Sequence, residues 1–133
     1  MKCYIAARYS QKDDMKQVAN ILREKAGIEI TSSWLEEPHI ATVTMDELPT
    51  EEILSYAERD LKDIDNADVV VLFSIDPFLA TVRGGRHCET GYAIAKGKPI
   101  YVIGPKENIF HELDCFKHFN TIADLIIELK KGI

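Results

Sequence analysis

The sequence predicts an α/β domain, a three-layer sandwich built around a five-stranded parallel sheet. Three observations predict it. Short apolar runs alternate with segments of helical period along nearly the whole chain. The strongest run, "ADVVVLFSI" at 67–75, is apolar on both faces, as a central parallel strand is. A chain of 133 residues, 46% hydrophobic and 29% charged, has the size and composition of one globular domain with its own core.

The elements follow in order. "KCYIAA" (2–7) is an apolar run that stops at Arg8 and reads as a buried strand. In 10–27, Met15, Val18, Ala19, Leu22 and Ala26 recur at helical spacing, with Ser10 placed to cap the start and Gly27 just past the end. "IEITSSW" (28–34) alternates and is rich in β-formers, so it reads as the second strand. Residues 35–49 have no clean period and contain two prolines, which suits a lid or binding loop. A helix over 50–65, the central strand at 67–75 and a loop over 76–85 come next. Then follow a helix over 86–96 ended by Gly97, a fourth strand "KPIYVIG" (98–104) and a short fifth strand "FKHF" (116–119). "TIADLIIELKKG" (121–132) closes the chain as a Thr-capped helix with apolar positions at 122, 125, 126 and 129.

Composition narrows the partners. A formal charge of −6 and a pI of about 5.2 argue against a nucleic-acid polymer or an anionic membrane as the main partner, but not against a small anion held by local arginines. The first residues lack a signal-peptide cleavage site, and the longest apolar run is too short to span a bilayer. Cys3, Cys88 and Cys115 are odd in number and widely spaced, so they read as reduced thiols of a cytoplasmic protein. His39, His111 and His118 lack metal-ligand spacing, and neither a metal nor a cofactor is expected.

Five strands in a chain of this size suggest the flavodoxin-like order 2-1-3-4-5. In that arrangement ligands bind beyond the strand ends where the winding reverses, between strands one and three. Arg8, Tyr9 and Ser10 would stand there, with Trp34 at the end of strand two and the segment "RGGRHCETGYA" after strand three.

Two carboxylates sit where simple amphipathicity would not put them. On the 50–65 helix, Asp60 falls within about 20° of Ile53, at the edge of a stripe made by Ile53, Leu54, Ala57, Leu61 and Ile64. Its charged neighbours, Arg59 among them, point elsewhere by the same period. A structural carboxylate with satisfied hydrogen bonds and a functional one both fit this placement. Glu89 lies in the first turn of an unusually apolar helix, read as mostly buried, with Gly91 permitting close packing. Complementarity to the helix dipole and a pre-oriented nucleophile kept ionised both fit. Arg8, Arg83 and Arg86 converging on one crevice would hold a phosphate-like group, and Gly84 and Gly85 let backbone amides come close. Trp34 is placed to stack on a planar ligand or to pack at a strand end. Cys88 reads as a packing residue, His87 as a capping residue or a general acid, and Tyr4 on pattern alone as core.

Three segments together resemble the nucleoside 2-deoxyribosyltransferase family, which includes related deoxynucleoside 5′-monophosphate N-glycosidases. They are "CYIAARYS", "RDLKDIDNADVVVLF" and "GGRHCETGYAIAKGKPIYVIG", and the similarity runs from residue 2 to about 119. The resemblance implies that Glu89 attacks the anomeric carbon to form a covalent glycosyl intermediate. It implies that Asp60 positions this machinery or handles the proton on the base, and that Tyr4 hydrogen-bonds the nucleophile. Arg83 stands where transferases of the family often carry an acidic residue, and Arg8 follows strand one. Both tilt the expectation toward a nucleotide substrate, with Arg8, Trp34, Arg83, Gly85 and Arg86 as binding residues. The resemblance also implies a homo-oligomer, although the terminal "ELKKGI" does not obviously supply a carboxylate to a neighbouring site. Two other readings share the fold: a non-catalytic nucleotide sensor, and a flavodoxin-like redox or signalling module, against which Arg8-Tyr9-Ser10 speaks.

Overall fold

The computed structural model describes residues 1–37, 47–76 and 84–131. The strands are β1 (Lys2–Ala6), β2 (Glu29–Ile30), β3 (Val69–Phe73), β4 (Ile100–Ile103) and β5 (Phe116–Phe119). The helices are α1 (Lys12–Ala26), α2 (Thr50–Asp65), α3 (Gly85–Ala95) and α4 (Ile122–Lys131). All pairings are parallel and the order is β2-β1-β3-β4-β5, as expected. Right-handed crossovers place α1 beside α4 on one face and α2 beside α3 on the other. The core is the sheet itself: Cys3 to Ala6, Val70 to Leu72, Ile100 and Val102 are fully buried.

α1 buries the predicted stripe of Met15, Val18, Ala19, Leu22 and Ala26. Gly27 ends it at φ 63, a left-handed conformation that glycine adopts without strain, and its N–H reaches the Arg23 carbonyl at 3.2 Å. The start differs from expectation. Residues Tyr9–Gln11 form a 3-10 turn, and no side chain caps the helix, so Ser10 does not serve that role. Asp13 and Asp14 in the first turn meet the dipole instead. In α4 the expected Thr121 cap is present, accepting the Asp124 N–H at 3.1 Å.

Strand two is the largest local departure. Only Glu29 and Ile30 pair as a strand, and Ser33–Glu36 turn into a 3-10 helix. Side chains take over the edge of β1 there: the Ile5 N–H donates to Ser32 Oγ at 2.6 Å, and Trp34 Nε1 donates to the Ile5 carbonyl at 2.8 Å. The backbone needs no third strand residue because its partners are already supplied.

Two helices are more open than their composition suggested. In α2 only Ile64 is buried; Leu54 is 56% exposed and Ala57 is exposed as well. In α3 Arg86, Thr90 and Ala93 are buried, whereas Cys88, Gly91 and Ala95 face outward, so the helix is not mostly buried and Cys88 is not a packing residue. A Cβ placed on Gly91 would meet nothing within 4 Å, so close packing does not require that glycine.

Candidate active site

The site is assembled from three elements on one side of the sheet. Tyr4 lies in the middle of β1, paired with Val70 of β3, and is fully buried. Its hydroxyl donates to Glu89 Oε2 on α3, across 85 positions of sequence; the helix starts at Gly85 and has no acidic residue in its first turn, so Glu89 lies one turn further in than the sequence suggested. A tyrosine that reads as core on pattern is core, and its hydroxyl also reaches Glu89. Glu89 is held where the helix start, opened by Gly84 at φ 81, delivers it over β1. Gly84 takes a left-handed conformation that a side chain would strain. A Cβ at Gly85 would meet only open space, and the residue is exposed.

Asp60 comes from α2 and is half-buried, as the helical period required. Its surroundings differ from the sequence reading. Arg59, which the period pointed elsewhere, curls back so that Nη2 and Nε reach Asp60 Oδ1 at 2.8 and 3.1 Å. The same Nη2 also binds Glu37 Oε1, just past the 3-10 turn that follows β2. Arg59 and Glu37 were both missed. The flexible reach of an arginine is invisible to a wheel built on Cα angles, and Glu37 lies in an aperiodic segment.

The electrostatics set these carboxyls apart. Burial pushes the Glu89 carboxyl up to about 8, the Asp60 charge adds to this, and the Tyr4 hydrogen bond and Arg59 oppose it. Burial raises Asp60 to about 6, against the pull of Arg59 and with a push from Glu37 and Asp63. Burial and the charges of Glu89 and Asp60 hold the Tyr4 hydroxyl well above its ordinary range, so it stays a donor. Burial thus works against the reading of a glutamate kept ionised. Burial favours the protonated form of both carboxyls, and of Glu89 more strongly than of Asp60. Because the two groups interact, the values about 6 and about 8 belong to the pair.

The predicted binding residues separate. Arg8 is partly exposed after β1, and its Nε is buried with no hydrogen-bond partner among the described residues; Gln11 Oε1 in the same turn is likewise unpartnered. Arg86, in contrast, is only 4% exposed and pairs with Glu107 through two nitrogens, Nε at 3.2 Å from Oε2 and Nη2 on Oε1. Its charge is already matched, which removes it from the expected arginine cluster. Trp34 is 5% exposed beneath Tyr9, with ring centroids 6.1 Å apart, so its ring offers a planar ligand almost no open surface. Arg83 and His39 lie outside the described residues. His87 sits 3.6 Å from Glu107 and near Asn108 rather than at Glu89. No three His, Cys, Asp or Glu side chains gather as a metal site among the described residues, and no described helix is long and apolar enough to cross a membrane.

No protein-family model matches the chain, and no curated protein matches its sequence. Solved structures do match. A 2-deoxyribosyltransferase from Bacillus psychrosaccharolyticus superposes with a TM-score of 0.67 at 22% identity, over 95% of this chain and 90% of that one. A CMP N-glycosidase from Clostridium botulinum superposes with a TM-score of 0.58 at 16% identity, over 98% and 99%. A conserved protein from Enterococcus faecalis V583 gives a TM-score of 0.66 at 18% identity, over 100% and 99%. The chain thus has the fold that a 2-deoxyribosyltransferase and a CMP N-glycosidase share.

Proposed function

We propose that this protein cleaves the N-glycosidic bond of a nucleoside or its 5′-monophosphate and passes the sugar to water or to a second base. The observation that carries the reading is the Tyr4–Glu89 pair facing a half-buried Asp60. The hydroxyl fixes one oxygen of Glu89 and leaves the other for the sugar. In the first step a bond forms from Glu89 to the anomeric carbon while the bond from that carbon to the base nitrogen breaks. The electron pair leaves on the base, and Asp60 supplies the proton that neutralises it. Water or a new base then attacks the glycosyl ester, Asp60 takes up the proton, and Glu89 is released as carboxylate. The transition state is oxocarbenium-like, so an anionic carboxylate below the sugar stabilises it, as in retaining glycosidases.

The unpartnered Arg8 Nε favours a phosphate-bearing substrate, because a buried donor without a partner is costly and an anion would satisfy it. Exposed apolar side chains on α2 and α3, Leu54 and Ala57 with Cys88 and Ala95, support self-association. The test is chromatographic. The protein is incubated with each deoxynucleoside, each deoxynucleoside 5′-monophosphate and the ribose equivalents, with and without a second base. Free base from a monophosphate alone identifies a hydrolase, and a new nucleoside formed only with the second base identifies a transferase. No product from any substrate rejects the proposal in favour of a non-catalytic nucleotide-binding domain.

A further inference from the structure

We propose that Arg59 is a positioning residue for the reaction, clamping Asp60 to Glu37 so that the acid proton of Asp60 sits on the oxygen facing the substrate. The inference rests on the reading of Asp60 as the proton donor. Its basis is the geometry of one guanidinium. Nη2 and Nε both donate to Asp60 Oδ1, at 2.8 and 3.1 Å, and Nη2 donates as well to Glu37 Oε1. Arginine offers only donors. A proton on Oδ1 would therefore face two N–H groups, so protonation is directed to Oδ2. The clamp is itself anchored. The Glu37 side chain is 8% exposed, its carbonyl accepts Lys12 Nζ at 3.0 Å, and the Arg59 guanidinium lies 4.8 Å over the Tyr56 ring. Such a fork has little freedom to turn, which is what a positioned acid requires.

The charge environment of Asp60 supports a second consequence. Arg59 and Asp63 flank it on α2, Glu37 faces it from just past the 3-10 turn, Glu89 from α3 and the Tyr4 hydroxyl from β1. Arg59 is the cation among these groups, and it opposes the burial and the carboxylates that favour the protonated form. The clamp thus fixes both where the proton sits and the pH at which it is present.

The experiment is a carboxyl-carbon NMR titration of Asp60 in the free protein, run beside kcat and KM, for wild type, Arg59→Met, Arg59→Lys and Glu37→Gln. Loss of the cation in Arg59→Met is expected to raise the Asp60 midpoint by about 1–3 pH units, and loss of the neighbouring anion in Glu37→Gln to lower it. Arg59→Lys restores the charge as a single point and not as a fork. It is expected to return the midpoint toward wild type while kcat stays at least about tenfold low with KM little changed, the mark of a misdirected acid. An Asp60 midpoint unmoved in Arg59→Met, or full kcat in Arg59→Lys, overturns the clamp. If wild type releases no base from any substrate, the glycosidic reading fails instead, and the titration still decides whether Arg59 governs Asp60.

Discussion

Replacing Tyr4 by Phe removes one oxygen from a fully buried ring and leaves its packing in place. The change acts on Glu89 alone, whose Oε2 loses the hydroxyl donor. A hydrogen bond to a charged group is worth about 1.5–3 kcal/mol, and each pH unit corresponds to about 1.36 kcal/mol, so the carboxylate form loses about 1–2 units of support. The sign is upward, because the bond favoured the ionised form. Starting from about 8, the upper titration of the carboxyl pair moves to about 9–10. Two consequences are tied together. The proposed reactive form has Glu89 ionised and Asp60 protonated, which is the minor arrangement of the singly protonated pair. Making Glu89 a weaker acid makes that arrangement rarer by the same factor. The alkaline limb of kcat/KM against pH should therefore shift up by about 1–2 units, and the plateau should fall by about 10–100-fold. The assay is base release followed from pH 5 to 10.5, with circular dichroism to verify the fold. An alkaline limb that stays in place, or a limb that moves while the plateau is unchanged, refutes the assignment of Tyr4 as the donor that lowers Glu89.

Three further outcomes follow from the same geometry. Glu89→Gln should abolish activity and raise the melting temperature above pH 8. The folded carboxyl titrates near 8 against 4.5 in a model compound, so its contribution is complete below about 4.5 and is lost as pH rises through 8; glutamine avoids that loss, worth about 3 kcal/mol after screening at its partly exposed edge. Asp60→Asn should lower kcat by about 10²–10⁴-fold and turn the bell-shaped profile into a rise to a plateau, because only Glu89 then titrates; a bell that survives assigns the second limb to another group. Glu107→Gln should cost about 3–5 kcal/mol in denaturant melts, since it strips the partner charge from Arg86 in a pair whose side chains are 2% and 4% exposed; a loss below about 1 kcal/mol would mean water already reaches the pair.

The sheet order was legible because alternation of apolar runs with helical periods, at this length, leaves few topologies. The acidic pair was legible for a different reason: Asp60 and Glu89 each break the rule that charges avoid apolar faces. The arginines were not legible. Arg8, Arg83 and Arg86 look alike in sequence, yet Arg86 is taken by Glu107, twenty-one positions away, and only the path of the β4–β5 crossover brings that partner near. Arg59 was set aside because its Cα direction is wrong, although its side chain reaches Asp60 anyway. The shortened second strand was hidden as well. "ITSSW" has strand composition, and no local feature reveals that Ser32 and Trp34 give their side chains to the Ile5 backbone. Long side chains and long-range backbone partners are what a periodicity argument cannot see.

The raised titrations of Glu89 and Asp60 also bear on how the proposed reaction would start. Burial raises both carboxyls, and the Asp60 charge raises Glu89 further, so the two share their protons as a coupled pair in which Glu89 is the harder to ionise. Under the proposed function, a nucleophile stored in its protonated form would be quiet. A bound base places a lone pair beside Asp60, and that contact is favourable only when Asp60 carries the proton. By reciprocity, protonating Asp60 removes the negative charge that had been raising Glu89, so Glu89 ionises more readily once substrate is present. Under the proposed function, that coupling would be the means by which a correct base turns on the nucleophile. A ligand lacking a protonatable nitrogen should bind without shifting the Glu89 titration. A substrate analogue with that nitrogen and an uncleavable link should lower it, and an equal effect from both would show that the two carboxyls titrate independently.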